Sequence, residues 1–113
     1  MATNECWLVS GGHVLASAER ANTRAARTRG LLGREGFDGA MVLSKCRSVH
    51  TIGMKFALDV AYLDAEGVVL KTVRMRRHRI GAPVWKSRTV VEAEAGAFER
   101  WGLRVGDQVE LRE

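Results

Sequence analysis

The sequence predicts an α+β domain with a small, antiparallel-rich sheet and two short helices. Three observations carry that prediction. Gly11-Gly12 separates the apolar runs 7–10 and 13–18, and two glycines supply the positive φ angles of a two-residue hairpin turn. Residues 58–63, of high β propensity, are joined by Asp64-Ala65-Glu66-Gly67 to the returning run 68–75, the best hairpin in the chain. Helical pattern is confined to two short stretches, 23–32 and 97–101.

In order, the first hairpin leads to Asn22, a fair N-cap for a helix over 23–32 rich in alanine and arginine and stopped by Gly33. Residues 36–39 form a turn and 40–43 a short buried strand. After the second hairpin, 76–88 is irregular and contains the one proline, Pro83, so it reads as loop. The β-branched run 89–93 is a strand. Residues 97–101 make one or two helical turns closed by Gly102, and Gly106-Asp107 turns the chain into a last strand ending at Leu111.

At 113 residues with 46% apolar content the chain is one domain over 1–113 and can bury a core without staples. A large enclosed cavity is hard to fit at this size, so a site should be a surface cleft. Cys6 and Cys46 make no disulfide framework, the start 1–5 is polar, and no apolar run approaches the ~20 residues of a membrane span. A cytoplasmic protein with reduced thiols is expected. The net charge is +5, but 67–91 holds seven cations (Lys71, Arg74, Arg76, Arg77, Arg79, Lys86 and Arg88) and no acid, leaving −2 elsewhere. The positive charge is therefore a patch.

Residues 46–64 are the stretch around which a site would form. They place a thiol, an imidazole, a hydroxyl, an ammonium and a carboxylate (Cys46, His50, Thr51, Lys55 and Asp59) within fourteen positions of an apolar run. Apolar walls with a few convergent polar groups are what a lined pocket needs. Asp59 must have a partner, since a bare carboxylate there would be costly, and a structural lock is favoured over catalysis. Glu92, between Val90, Val91 and Ala93, poses the same question in a second strand. Asp64 and Asp107 read as turn formers, Cys46 as a half-buried inert thiol, and Trp7 and Trp101 as packing. Metal is discounted, because His13, His78 and Cys6 are scattered without ligand spacing; no cofactor is expected.

An ordered set of motifs then carries a resemblance. Arg29-Gly30-Leu31-Leu32, Gly39-Ala40-Met41, Val49-His50-Thr51-Ile52-Gly53-Met54, Phe56-Ala57-Leu58-Asp59-Val60-Ala61-Tyr62-Leu63-Asp64, Val91-Glu92-Ala93-Glu94-Ala95-Gly96 and Gly102-Leu103-Arg104-Val105-Gly106-Asp107 follow one another in the chain. Over roughly 27–111 the sequence resembles the domain of unknown function 192 family. The resemblance implies a mainly antiparallel α+β domain, a small curved sheet or partly closed barrel with one or two helices, and no established activity. The chain departs from it at Ala57, where the family usually has a proline that would fix φ at the strand entry.

The leading functional expectation is a non-catalytic binding or accessory module. Its cleft is drawn from His50, Thr51, Met54 and Asp59, with Arg76, Arg77 and Arg79 favouring an anionic small ligand or an acidic partner surface. A small hydrolase or transferase using His50 with Asp59 or Cys46 stands as the alternative. Nucleic-acid binding through residues 71–88 is a further one, with arginines for phosphate and Trp85 for stacking.

Overall fold

The computed structural model of the protein describes residues 5–21 and 30–113. Among these residues seven strands form one sheet: β1 Glu5–Ser10, β2 His13–Ala21, β3 Ala40–Ser44, β4 Leu58–Leu63, β5 Val69–Met75, β6 Thr89–Glu94 and β7 Val109–Arg112. A short helix, α1 Ala97–Trp101, follows β6 and is the one helix among the described residues. The spatial order is β5-β4-β6-β3-β2-β1-β7. Both expected hairpins form, β1–β2 about Gly11-Gly12 and β4–β5 about Asp64 to Gly67.

The sheet is mixed: β2 and β3 run parallel, pairing Ala18 with Ala40 and Ala21 with Leu43, while the other neighbours are antiparallel. This refines the antiparallel-rich expectation. The connection over 22–39 is long enough for β3 to return in the same direction as β2. Most of the helix expected over 23–32 lies outside the described residues, and residues 30–32 form a turn.

The sheet curls until its two edges meet at one end. An isolated bridge joins Val68 to Gln108, Val69 N donates to Asp107 O (2.8 Å), and Val109 N donates to Gly67 O (2.9 Å). The result is a half-barrel, closed where β5 begins. Asp64 organises that end: its Oδ1 accepts the Glu66 and Val68 N–H groups at 2.9 Å each. Gly67 adopts φ +82°, and any Cβ there would fall 2.4 Å from Val109 O.

The central strands are buried on both faces, which explains why β3, β4 and β6 read as nearly unbroken apolar runs. On one face Leu8, Val42, Ala61, Leu63, Val91 and Ala93 pack with Phe98, Leu103 and Val109. On the other, Met41, Leu43, Leu58, Val60, Tyr62 and Val90 are covered by Leu31, Val49 and Met54, with Leu32, Phe37, Phe56 and Val84 at the margin. Each fully buried aliphatic side chain contributes about 1.5–3 kcal/mol by leaving water. The loops over the second face are therefore part of the core.

Candidate functional site

Two irregular segments cover the second face, 46–56 and 76–88, and Thr51 binds them together. Its side chain is fully buried, with Oγ1 donating to Arg76 O (2.5 Å) and accepting from Arg79 N (2.8 Å). Its backbone N–H donates to Arg79 O (2.7 Å), and its carbonyl accepts from His78 N (2.9 Å). Gly81 N to Val49 O (2.9 Å), Val84 N to Arg47 O (2.8 Å) and a His50–Ile80 bridge extend the seam. Arg77 Nε donates to Met54 O (3.0 Å), and His78 Nδ1 accepts from Gly53 N (3.2 Å). Thr51 and Arg77 thus hold the loops together.

A cavity of about 270 Å³ opens beside this seam, lined by apolar Leu31, Leu32, Leu43, Val49 and Met54 and by polar Lys45, Cys46, Ser48, His50 and Glu92. His50 and Met54 are therefore brought together, and Cys46 joins them. The Cys46 thiol donates to Ser48 O at 3.2 Å. Glu92 lies at the centre of β6, in register between Met41 and Val60, with 4% of its surface exposed. Its Oε1 is buried without a hydrogen-bond partner. Burial pushes its carboxyl up to about 7, since low dielectric penalises the charged form. Tyr62 is close by: burial raises its phenol pKa, and the charges of Cys46 and Glu92 raise it further.

Asp59 is not in this cavity. Its Oδ1 accepts from Arg74 Nε (3.0 Å), while Oδ2 accepts from Gly96 N (2.9 Å) and Phe98 N (3.1 Å), fastening α1 to the first face of the sheet. The carboxylate in turn raises the Arg74 pKa, chiefly through the hydrogen bond. His50 and Asp59 thus stand on opposite faces, and the structure does not bring them together. Asp64 and Asp107 both close turns, Asp107 Oδ2 accepting from Arg104 N at 2.9 Å. Among the described residues no three His, Cys, Asp or Glu side chains gather as a metal-ligand group.

A second hollow, of about 420 Å³, lies on the far side of the 76–82 loop. Lys71, Arg74, Arg76 and Arg79 line it with Tyr62, Val73, Met75 and Ile80, and no acidic residue among the described ones contributes. Arg76 and Arg79 therefore share a concavity with each other, whereas His50 belongs to the neighbouring one. Glu92 is the lining residue that sequence reasoning flagged without choosing. Its signal was a carboxylate inside Val90-Val91-Glu92-Ala93, a run too apolar to leave it in water.

A family model, DUF192 (Uncharacterized ACR), matches residues 7–111, nearly the whole chain. The chain belongs to the DUF192 family. Two crystal structures have the DUF192 fold seen here. One, from Sinorhizobium meliloti 1021, is described provisionally as a transcription regulator; it is 19% identical, with a TM-score of 0.82 over 98% of this chain and 96% of that one. The other, a protein of unknown function from Novosphingobium aromaticivorans DSM 12444, is 18% identical, with a TM-score of 0.76 over 96% of this chain and 84% of that one. No curated protein matches this DUF192 chain. No helix among the described residues is long and apolar enough to cross a membrane.

Proposed function

We propose that this DUF192 protein is a non-catalytic binding module for a small anionic ligand, held in the hollow formed by β5 and the loop that follows it. The observation that carries this is the lining: four cationic residues, Lys71, Arg74, Arg76 and Arg79, around one concavity with no acid among the described residues. Arg74 is already paired with Asp59, so Lys71, Arg76 and Arg79 are the groups left to meet an anion. Guanidinium groups suit phosphate or carboxylate through paired N–H donors. Thr51 fixes the loop backbone at Arg76 and Arg79, so both side chains start from anchored positions.

Inorganic phosphate and citrate are the probes. Backbone amide shifts at residues 71–82 should respond saturably to them at constant ionic strength, with chloride inert. Arg76→Ala combined with Arg79→Ala should weaken binding at least about tenfold, the scale of one or two charge-assisted hydrogen bonds. Shifts spread over all surface cations, and unchanged in the double variant, would sink the reading.

A second reading, contact with nucleic acid through residues 71–88, is favoured by Trp85, whose side chain stands 73% exposed beside Lys86 and Arg88. The provisional description of the Sinorhizobium meliloti protein points the same way. Binding to single-stranded DNA that falls steeply with salt and is lost in Trp85→Ala would favour this over a small anion.

A further inference from the structure

The cavity on the other side of the loop seam has the opposite chemistry. Its floor is Glu92, whose Oε1 lacks a hydrogen-bond partner although the residue sits in the middle of a seven-stranded sheet. Buried polar groups are nearly always satisfied, so a carboxyl left bare is a feature to be explained. The Cys46 thiol, which lines the same cavity, donates to Ser48 O. Gly30, at φ +47°, passes over the carboxyl where a Cβ would lie 3.0 Å from Oε1. The surrounding walls, Leu31, Leu32, Leu43, Val49 and Met54, offer contact without hydrogen-bonding groups of their own.

We propose that this cavity binds a small organic cation, a primary ammonium on a short apolar body, whose N–H groups use the Glu92 carboxylate as acceptor while the body lies against Leu31, Leu32 and Met54. A carboxylate in an apolar surround is poorly served by a neutral alcohol and repels an anion, but gains both charge and hydrogen bonds from an ammonium. The site is separate from the basic hollow and does not rest on the reading given for it.

Among the described residues the other titratable or charged groups facing this region are Tyr62 from β4, Lys45 and Cys46 after β3, and His50 from the covering loop. Lys45 is the lysine among the described residues that lines the cavity, and Glu92 Oε1 has no hydrogen bond from it. Because an ammonium binds only the ionised carboxyl, affinity should rise about tenfold between pH 6 and pH 8, with proton release on binding.

Isothermal titration calorimetry with n-butylammonium, n-butanol and butyrate tests the proposal on the whole protein. Butylammonium should bind, with butanol and butyrate at least about tenfold weaker on the scale of a charge-assisted hydrogen bond. Glu92→Gln should abolish the preference for the cation, whereas His50→Asn and Lys45→Met should retain both it and the pH dependence. Carbon-13 NMR of the Glu92 side-chain carboxyl supplies a readout independent of variant folding. It should titrate near neutrality in the ligand-free protein and move to lower pH with butylammonium. Equal binding of butanol and butylammonium overturns the proposal. So does a Glu92 carboxyl that is already ionised at pH 5 without ligand, which would mean that the chain itself supplies the cation.

Discussion

Asp59 and Glu92 lie one register step apart on neighbouring strands, and their carboxyl groups meet opposite surroundings. Asp59 takes three donors, two of them the Gly96 and Phe98 N–H groups at the start of α1. Asp59→Ala strips those donors of their acceptor and should cost about 2–4 kcal/mol, read as a lowered urea midpoint with unchanged slope. Glu92 has burial and no compensating partner at Oε1. Its carboxyl is ordinary at 4.5 and about 7 when folded, so between those values the native chain keeps a proton that the unfolded chain has lost. The contribution to stability is full below pH 4.5, declines as pH rises to 7, and is flat above it, a change of about 3 kcal/mol. The difference in unfolding free energy between the parent and Glu92→Gln should shrink by that order from pH 4 to pH 8, Glu92→Gln being the more stable relative to the parent at the higher pH. A pH-independent difference would contradict the burial-driven shift.

At the scale of elements, local chemistry was legible wherever it was sufficient. Gly11-Gly12 and the Asp64-to-Gly67 turn announced both hairpins, and β4 runs over the span its residues predict. Pro83 marked a loop, and α1 ends at Gly102, which takes the left-handed conformation at φ 69°. The candidate cleft was only half legible. His50 and Met54 share a cavity, but the two backbone partners of Asp59 come from 37 and 39 residues downstream, and no local pattern encodes them. Side-chain parity separates Asp59 from Val60 and Tyr62, so knowing which face the 46–56 loop covers would have removed Asp59 from the cleft. That choice of face is a tertiary outcome. The β5–β7 closure also gives a prediction at this scale. Gly67→Ala pushes a Cβ into Val109 O from a backbone that disfavours one, and should destabilise by several kcal/mol, on the order of 2–4. The loss should be accompanied by faster amide exchange at Val69 and Val109.

For the molecule as a whole, the strand order is what the sequence conceals. β6 inserts between β4 and β3, and β1 pairs with β7, joining Trp7 to Arg112 across almost the full chain. Such pairings depend on which long loops close, and periodicity within a strand carries no information about that. They also set the order of protection. Val42, Val60 and Val91 sit in strands paired on both sides and buried on both faces, so their amides should exchange only by global unfolding, whereas those of β7 exchange sooner through local opening. Hydrogen exchange at several denaturant concentrations checks this, and early exchange at Val60 would contradict it. The long-range pairing further places refolding in the millisecond-to-second range, of order 1–1000 s⁻¹.

The incomplete meeting of β5 and β7 bears on how copies of the molecule treat one another. Pairing between them stops after Val69, so the remainder of β5 borders the sheet with a row of backbone groups that another chain could adopt as a template. Lys71 and Arg74 are exposed on that border strand, and the ion pair with Asp59 keeps Arg74 stationed there. Two such borders brought face to face would oppose like charges at short range. The lock that Asp59 provides for α1 thus also posts a sentry against self-association, and one carboxylate serves both the interior of the molecule and its relations with its neighbours.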